Sequence, residues 1–592
     1  MSTLANPLAS LVWTTRYRYA PHGGAAETSI EATWDRVSRA LADAESHDRP
    51  SWARRFRAVL EDFRFLPGGR ILAGAGTGRR VTLFNCFVMG SLEDSLDGIF
   101  AALREAALTM QQGGGIGVDF SPLRPHGTQS DATGSIASGP VAFMHLWNQM
   151  SETVTGTSPR RGAMMGTLAC DHPDVEEFIA AKETAGALPH FNLSVLVSDP
   201  FMRAVESDAD WSLTFPRFGI ERVTRARDLW ESIVRHAYDN AEPGVLFIDR
   251  IRREDNLAYA ERISATNPCG EVPLPPYGAC NLGSLNLTRF VRDAFALDAR
   301  LDHAALAEVA SVAARMLDDV HAISGFPLPQ QAQAANASRR IGLGITGLAD
   351  ALTMLNLRYD SAEGRAAAAA AMRTITEAAY TSSIELARER GTFPLFEQER
   401  YLAAPFITRL PVHLRHRIAQ HGIRNSHLTA IAPAGTISLL AGNVSSGIEP
   451  IFAPEYERTV RGLDSSLCRM RVASYALAQW RALQRGSAVP DTFATAATMR
   501  PEDQLAMQAA LQPHVDNAIS KTTNVPADIP FNEFADIYRA AWATGLKGCT
   551  AFRPNAVTGS VLVRPEPRCK RCETESADAE PPMSSSFSTS PL

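Results

Sequence analysis

Cysteine is scarce, with eight in 592 residues, too sparse for a disulfide scaffold; in a reducing compartment grouped cysteines are catalytic, redox-active or metal-binding more often than structural staples. No apolar run approaches the roughly 18 residues of a membrane helix. The N-terminus "MSTLANPLASLVWTTRYRYA" lacks a charged segment followed by an apolar core and a cleavage site, so no secretory leader is read there and the chain is expected to be cytoplasmic. Basic blocks are absent as well, and the formal net charge is −6. That balance argues against nucleic acid as a partner, although a single nucleotide needs only a local site. What is present is ordinary for a globular protein, 45% hydrophobic and 21% charged, in a chain long enough to bury a large core.

Residues from about 28 to 64, "TSIEATWDRVSRALADAESHDRPSWARRFRAVLEDF", carry apolar positions at helical spacing and predict an N-terminal helical region. From "VTLFNCFVMG" onward, short β-rich runs ("GGIGVDFSPL", "HFNLSVLVS", "WSLTFP", "GVLFID") alternate with helical patterns such as "DLWESIVRHAYDNA" and "HAALAEVASVAARMLDDVHAI". This alternation predicts an α/β fold. The run Ala366 to Ala371 continues into one long helix of high propensity. After about Arg564 the chain turns rich in Pro, Ser and Glu and nearly loses large aliphatics, so a flexible tail is expected.

The stretch "NPCGEVPLPPYGACNLGSLNL", residues 267 to 287, sets two cysteines among Pro268, Pro273, Pro275 and Pro276. Those prolines deny helical hydrogen bonding and make the region a loop or extended strand. In an extended chain alternate side chains share a face, which would align Asn267, Cys269 and Glu271: an amide to bind a hydroxyl, a thiol, and a carboxylate to take a proton. Cys280 follows eleven residues after Cys269, too far for a metal-chelating turn but able to return to the same pocket. An isolated cysteine is more often a small buried hydrophobe, and spacing alone leaves the question open.

This stretch resembles the active-site loop of the large catalytic subunit of ribonucleotide reductases. Further segments match in the same order: "FLPGGRILAGAG", "FNCFVMGSLEDSLDGIF", "GGGIGVDFSPLRP", "RRIGLGITGLAD", "APAGTISLLAGNVSSGIEPIF" and "GLKGCTAFRPN", then a tail cysteine pair. The resemblance implies an α/β fold built as a ten-stranded α/β barrel with an internal finger loop over residues 81–563, a helical region over 1–80 and a redox tail over 564–592. It implies that Cys269 becomes a thiyl radical that abstracts the ribose 3′-hydrogen, that Glu271 takes the 3′-hydroxyl proton, and that Asn267 holds the ribose hydroxyls. Cys86 and Cys280 match the reducing pair that ends as a disulfide. In the tail, Cys569 and Cys572 of "CKRC" lie beside Lys570 and Arg571, a local positive field that favours the attacking thiolate. Half a zinc site would need two more ligands, and no second pair follows. Thioredoxin or a similar dithiol is the implied reductant.

"PAGTISLLAGNVSSG" places a small turn and hydroxyls at a helix start, which suits either an anion or ordinary capping. The resemblance makes Ala434, Gly435, Thr436, Ile437 and Ser438 the cradle for the substrate phosphates. "QQGGGIGVDF" looks like a dinucleotide loop, but Phe120 stands where a third glycine belongs, so a Rossmann site is not supported. By resemblance Asp94, Ser95 and Arg124 contact a dNTP or ATP specificity effector. Lys182, Glu183, Thr184, Ala185 and Gly186 form the loop that relays effector identity to the substrate base. A homodimer is implied with them.

Members of this family that draw a radical from a separate metal subunit carry two adjacent tyrosines where Cys549 and Thr550 stand here, and the oxygen-sensitive class ends in a Gly-Tyr motif that this C-terminus lacks. Adenosylcobalamin remains as the implied cofactor. No Asp-x-His-x-x-Gly segment occurs, so the cobalt is expected to keep its own base and no metal ligand is assigned. Cys170 and Cys468 read as structural, His172 beside Cys170 makes no metal site, and Cys549 has no assigned role. Ribonucleoside diphosphates are the expected substrates. An N-terminal ATP-binding regulatory module is not expected, since matching segments start early. The competing readings are a subunit that depends on a separate radical generator and a nucleotide-binding regulator that has lost catalysis.

Overall fold

The computed structural model describes all residues except 1–3, 5, 130–133, 135, 156–162, 185, 462–466, 484–488, 556–561 and 564–592. The chain opens with helices Pro7–Arg16, Ile30–Ala42 and Arg49–Leu60. The second begins at Ser29, whose hydroxyl accepts from the Ala32 N–H, and buries Ile30, Trp34, Val37 and Leu41, the spacing of one helical face. The first of the three lies before the stretch that the sequence pattern marks as helical.

The barrel is built from nine strands: β1 (Cys86–Val88), β2 (Gly115–Asp119), β3 (Met164–Ala169), β4 (Phe191–Val197), β5 (Gly244–Phe247), β6 (Ala279–Asn286), β7 (Ile341–Thr346), β8 (Thr522–Asn524) and β9 (Gly548–Phe552). Strands β1 to β5 run parallel, each beside the next. The second half is also parallel: β6 pairs β7, the extended segment 429–431 bridges from Leu343 of β7 to Ile519, and β8, just beyond Ile519, pairs β9. The halves meet antiparallel at β1 against β6 and at β5 against β9. With 429–431 as the tenth stave the ring closes. Closure leaves no open edge, and the parallel strands require helices outside.

Those helices carry the core. His303–Ile323 packs against the 29-residue Ala362–Arg390, whose alanine-rich first half allows close approach and which stops at Gly391, φ +81°. The helical N-terminal region is pinned to this layer by Glu45, which is buried and accepts from Arg315 at 2.6 and 2.7 Å and from Arg390 at 2.5 Å. Arg390 in turn pairs Asp319 at 2.6 Å.

The strands "GGIGVDF", "HFNLSVLVS" and "GVLFID" lie in the barrel, whereas "WSLTFP" forms strand Asp210–Phe215 of a separate hairpin with Ile220–Arg225. Among the described residues no helix is long and apolar enough to cross a membrane.

Candidate active site

Inside the barrel a finger descends. Ala265–Thr266 pairs antiparallel with Pro273–Leu274, and the six residues between reverse direction. The Asn267 carboxamide oxygen accepts from the Val272 N–H at 2.9 Å, the Gly270 N–H donates to the Asn267 carbonyl at 3.1 Å, and Gly270 takes φ +84°, a conformation glycine adopts without penalty. This corrects one expectation from sequence: Asn267, Cys269 and Glu271 come together through a turn, not through strand alternation. Asn267 and Glu271 are buried, and Cys269 is exposed at the tip.

The barrel wall is shaped for the finger. At Gly117 of β2 an added Cβ would sit 1.9 Å from the Thr266 carbonyl oxygen, so the glycine-rich run that imitates a nucleotide loop is there to let the finger pass. The Asn192 carboxamide donates to the Pro268 carbonyl at 2.8 Å, and the Ala518 N–H donates to the Glu271 carbonyl at 2.9 Å.

Behind the turn, Cys86 of β1 stands opposite Cys280 of β6 in the register; they are 3% and 0% exposed. The Asn267 Nδ2 donates to Cys86 Sγ at 3.2 Å, and Cys86 Sγ lies 3.9 Å from Glu271 Oε1. Burial pushes both thiols up, with the Glu271 carboxylate adding to the effect on Cys86, so both are protonated at neutral pH and carry a hydrogen to give. Burial also raises Glu271 to about 7, against the opposing hydrogen bonds from Asn267 and Cys86. Its Oε2 is buried with no hydrogen-bond partner. A carboxyl poised near neutrality with one oxygen unengaged is equipped to take and return a proton.

Cys269 opens onto a cavity of about 480 Å³ whose wall includes Asn192, Ser194, Glu242, Pro433, Lys521 and Thr550. Of the five residues read as a phosphate cradle, Gly435 and Thr436 are exposed, whereas Ala434, Ile437 and Ser438 are buried. The Ala434 N–H donates to Ser446 Oγ at 2.9 Å, Ser438 Oγ donates to the Gly435 carbonyl at 2.9 Å, and Thr436 Oγ1 accepts from the Tyr17 hydroxyl at 2.7 Å. Pro433 brings this turn to the cavity.

The residues read as effector contacts form a separate cluster. Arg124 Nε donates to both Asp94 oxygens at 3.0 and 2.9 Å and its main-chain N–H to Oδ1 at 3.2 Å. Ser95 caps helix Leu96–Gln111 by accepting from the Gly98 N–H at 3.1 Å. Phe218 lies 4.7 Å beneath the Arg124 guanidinium and Arg217 reaches Asp94 at 3.5 Å, beside a second cavity of about 970 Å³ lined by His126, Arg217, Phe218 and Arg222.

In the segment read as the specificity loop, Lys182 donates to the Phe191 carbonyl at 2.6 Å and pairs Glu242 at 2.9 Å. The Ala187 N–H donates to the Thr184 carbonyl, the Glu183 N–H to that of Ala180, and Gly186 has φ +83°. Ala185 lies outside the described residues, as do Cys569 and Cys572 of the tail.

Cys170 is buried with Sγ 3.8 Å from Ser198 Oγ and its thiol pushed up to about 12 by burial. His172 is spent on the Leu123 carbonyl at 2.9 Å and the Asp174 N–H at 3.0 Å. Cys468 lies on strand Leu467–Ala473. Cys549 belongs to the main apolar core, burial raising its thiol to about 12, while its neighbour Thr550 is exposed. Among the cavity residues that the sequence did not single out are Asn192, which looks like any polar strand residue, and Glu242, which no motif marks.

Comparison with known proteins fits this geometry. Residues 84–552 match the family model described as ribonucleotide reductase, barrel domain, and residues 4–80 match ribonucleotide reductase, all-alpha domain. The vitamin B12-dependent ribonucleoside-diphosphate reductase of Mycobacterium tuberculosis is 41% identical over 589 residues, covering 95% of this chain and 81% of the relative. A protein of the same name from Thermoplasma acidophilum is 35% identical over 545 residues, covering 88% and 68%. The ribonucleoside-diphosphate reductase subunit alpha of Chlamydia pneumoniae is 26% identical over 613 residues, covering 91% and 56%.

Proposed function

The chain belongs to the ribonucleotide reductase family, and we propose that it reduces ribonucleoside diphosphates to 2′-deoxyribonucleoside diphosphates by thiyl-radical chemistry dependent on adenosylcobalamin, supplying precursors for DNA synthesis. One observation carries this reading: the finger turn gathers Asn267 and Glu271 against Cys86, opposite Cys280, and leaves Cys269 facing the cavity.

The residues present fit the cofactor. Ser194, Glu242 and Thr550 offer polar atoms for nucleoside groups. At Gly244 a Cβ would come within 2.9 Å of Thr550 Oγ1, so the wall there stays flat. When bound, adenosylcobalamin supplies the radical equivalent that leaves the Cys269 sulfur with an unpaired electron.

With substrate in the cavity, the Cys269 thiyl takes the ribose 3′-hydrogen, and Glu271 accepts the 3′-hydroxyl proton through an oxygen that otherwise lacks a partner. Asn267, locked by Val272, holds the hydroxyl edge. The buried thiols of Cys86 and Cys280 supply two electrons and two protons, the 2′-hydroxyl leaves as water, the pair closes to a disulfide, and Cys269 returns the hydrogen to C3′. Cys569 and Cys572 then reduce the disulfide by exchange and are themselves reduced by thioredoxin or a similar dithiol. Thr436, Gly435 and the turn around them take the diphosphate. Asp94, Ser95 and Arg124 take a dNTP or ATP effector between two copies of the chain, and residues 182–186 relay its identity.

Anaerobic turnover of CDP and CTP with dithiothreitol, with and without adenosylcobalamin, tests the reading. Deoxycytidine diphosphate formed only with the cofactor, and not by Cys269→Ser, is expected. Product without the cofactor, or none from wild type with any effector, would overturn it.

A further inference from the structure

Three consecutive residues at the start of β4 are held by groups from three different parts of the chain. The Phe191 carbonyl accepts from Lys182 Nζ at 2.6 Å. Asn192 Nδ2 donates to the Pro268 carbonyl at 2.8 Å. The Leu193 N–H donates to Glu242 Oε2 at 3.1 Å. Lys182 and Glu242 close the set as an ion pair at 2.9 Å, their side chains only 18% and 21% exposed. The carbonyl that Asn192 holds belongs to the peptide linking Pro268 to Cys269, and a peptide is a rigid plane. A carbonyl can only accept, so the amide nitrogen of Asn192 must be the group that faces it.

We propose that Asn192 is a positioning residue for Cys269, and that the Lys182–Glu242 pair, gripping the main chain on both sides of Asn192, makes that position depend on the 182–186 segment. Lys182 lies in that segment, Glu242 lines the cavity, and Asn192 joins the strand between them to the fingertip. A shift of Lys182 therefore moves Phe191 and Leu193 together and carries Asn192 with them. The proposal rests on the reading of Cys269 as the radical residue and of 182–186 as the effector relay. Hydrogen abstraction needs the sulfur in contact with C3′, and a displacement of about 1 Å at a reacting atom costs on the order of 10²-fold in rate. The binding of substrate asks less of the sulfur's position.

The test uses the full chain with adenosylcobalamin, CDP and dithiothreitol. Asn192→Asp keeps the shape of the side chain and removes the donor; kcat is expected to fall on the order of 10²-fold while CDP affinity by calorimetry stays within about threefold. Turnover at the wild-type rate, or a loss of CDP affinity as large as the loss of kcat, would overturn the positioning role. Should that variant not fold, Asn192→Ser, too short to reach Pro268, takes its place under the same criterion. Lys182→Met is expected to lose the response of kcat to effector, with Lys182→Arg restoring it; an unchanged response in Lys182→Met would overturn the coupling. Full activity in Cys269→Ser would instead defeat the underlying reading, whatever the Asn192 variants do.

Discussion

Cys86 and Cys280 face each other across the seam where the two five-stranded halves of the barrel meet antiparallel. Each half is internally parallel, so at this seam a β1 residue and a β6 residue stand as direct cross-strand neighbours. The finger then delivers Glu271 to 3.9 Å and the Asn267 amide to 3.2 Å from Cys86. In the proposed reading the reducing pair is thus built by strand register, and the radical thiol is presented by a turn.

Glu271 gives the first expectation. Its carboxyl is raised to about 7 by burial and must be ionised to accept a proton, so kcat/KM for CDP is expected to rise with pH through about 7 and level off above. Glu271→Gln should lose about 10²- to 10⁴-fold in kcat and that rising limb with it. The sign for stability is opposite. A carboxyl raised in the fold contributes fully below its unfolded value near 4.5 and loses that contribution as pH rises to about 7, a difference on the order of 3 kcal/mol. Chemical unfolding should therefore find Glu271→Gln gaining on the wild type between pH 5 and pH 8. A constant difference would show that Glu271 is not a strained buried acid.

Parts of this were legible in the sequence. The prolines around Cys269 excluded a helix, and the strand "HFNLSVLVS" and the alanine-rich helix stand where their patterns put them. The turn at Asn267 was not legible, because strand alternation and a side-chain-locked reversal bring the same three residues together. The stave at 429–431 hides in "LTAIA", since a buried strand of three residues has no period to read. Asn192 and Glu242 matter through partners 76 and 49 residues away, and no local pattern encodes those. The helix Pro7–Arg16 does carry its start signal, Asn6 followed by Pro7, but lacks a strong apolar stripe.

Glu45 should govern how firmly the helical N-terminal region sits. It is a buried acceptor for Arg315 and Arg390, and its removal leaves both guanidinium groups short of countercharge, at a cost of about 3 kcal/mol. Glu45→Ala is expected to speed amide hydrogen exchange in helices Ile30–Ala42 and Arg49–Leu60 more than in the barrel strands. Uniform protection, equal to wild type, would show the anchor to be elsewhere.

The tail cysteines separate two sources of electrons. With Cys569 and Cys572 both changed to Ser, turnover driven by thioredoxin should fall at least about tenfold if exchange must pass through the tail. Turnover driven by a small dithiol that enters the cavity should be retained. Equal activity with both reductants would mean that the tail carries no electrons.

The most direct measurement is a single round of reduction without external reductant. The Cys569→Ser/Cys572→Ser chain, fully prereduced, is mixed anaerobically with CDP and adenosylcobalamin, quenched in alkylating agent and mapped by mass spectrometry. The expected result is at most one deoxycytidine diphosphate per chain, with Cys86 joined to Cys280 in the same proportion. Product formed while Cys86 and Cys280 remain alkylatable thiols would contradict the assignment of the seam pair as reductant.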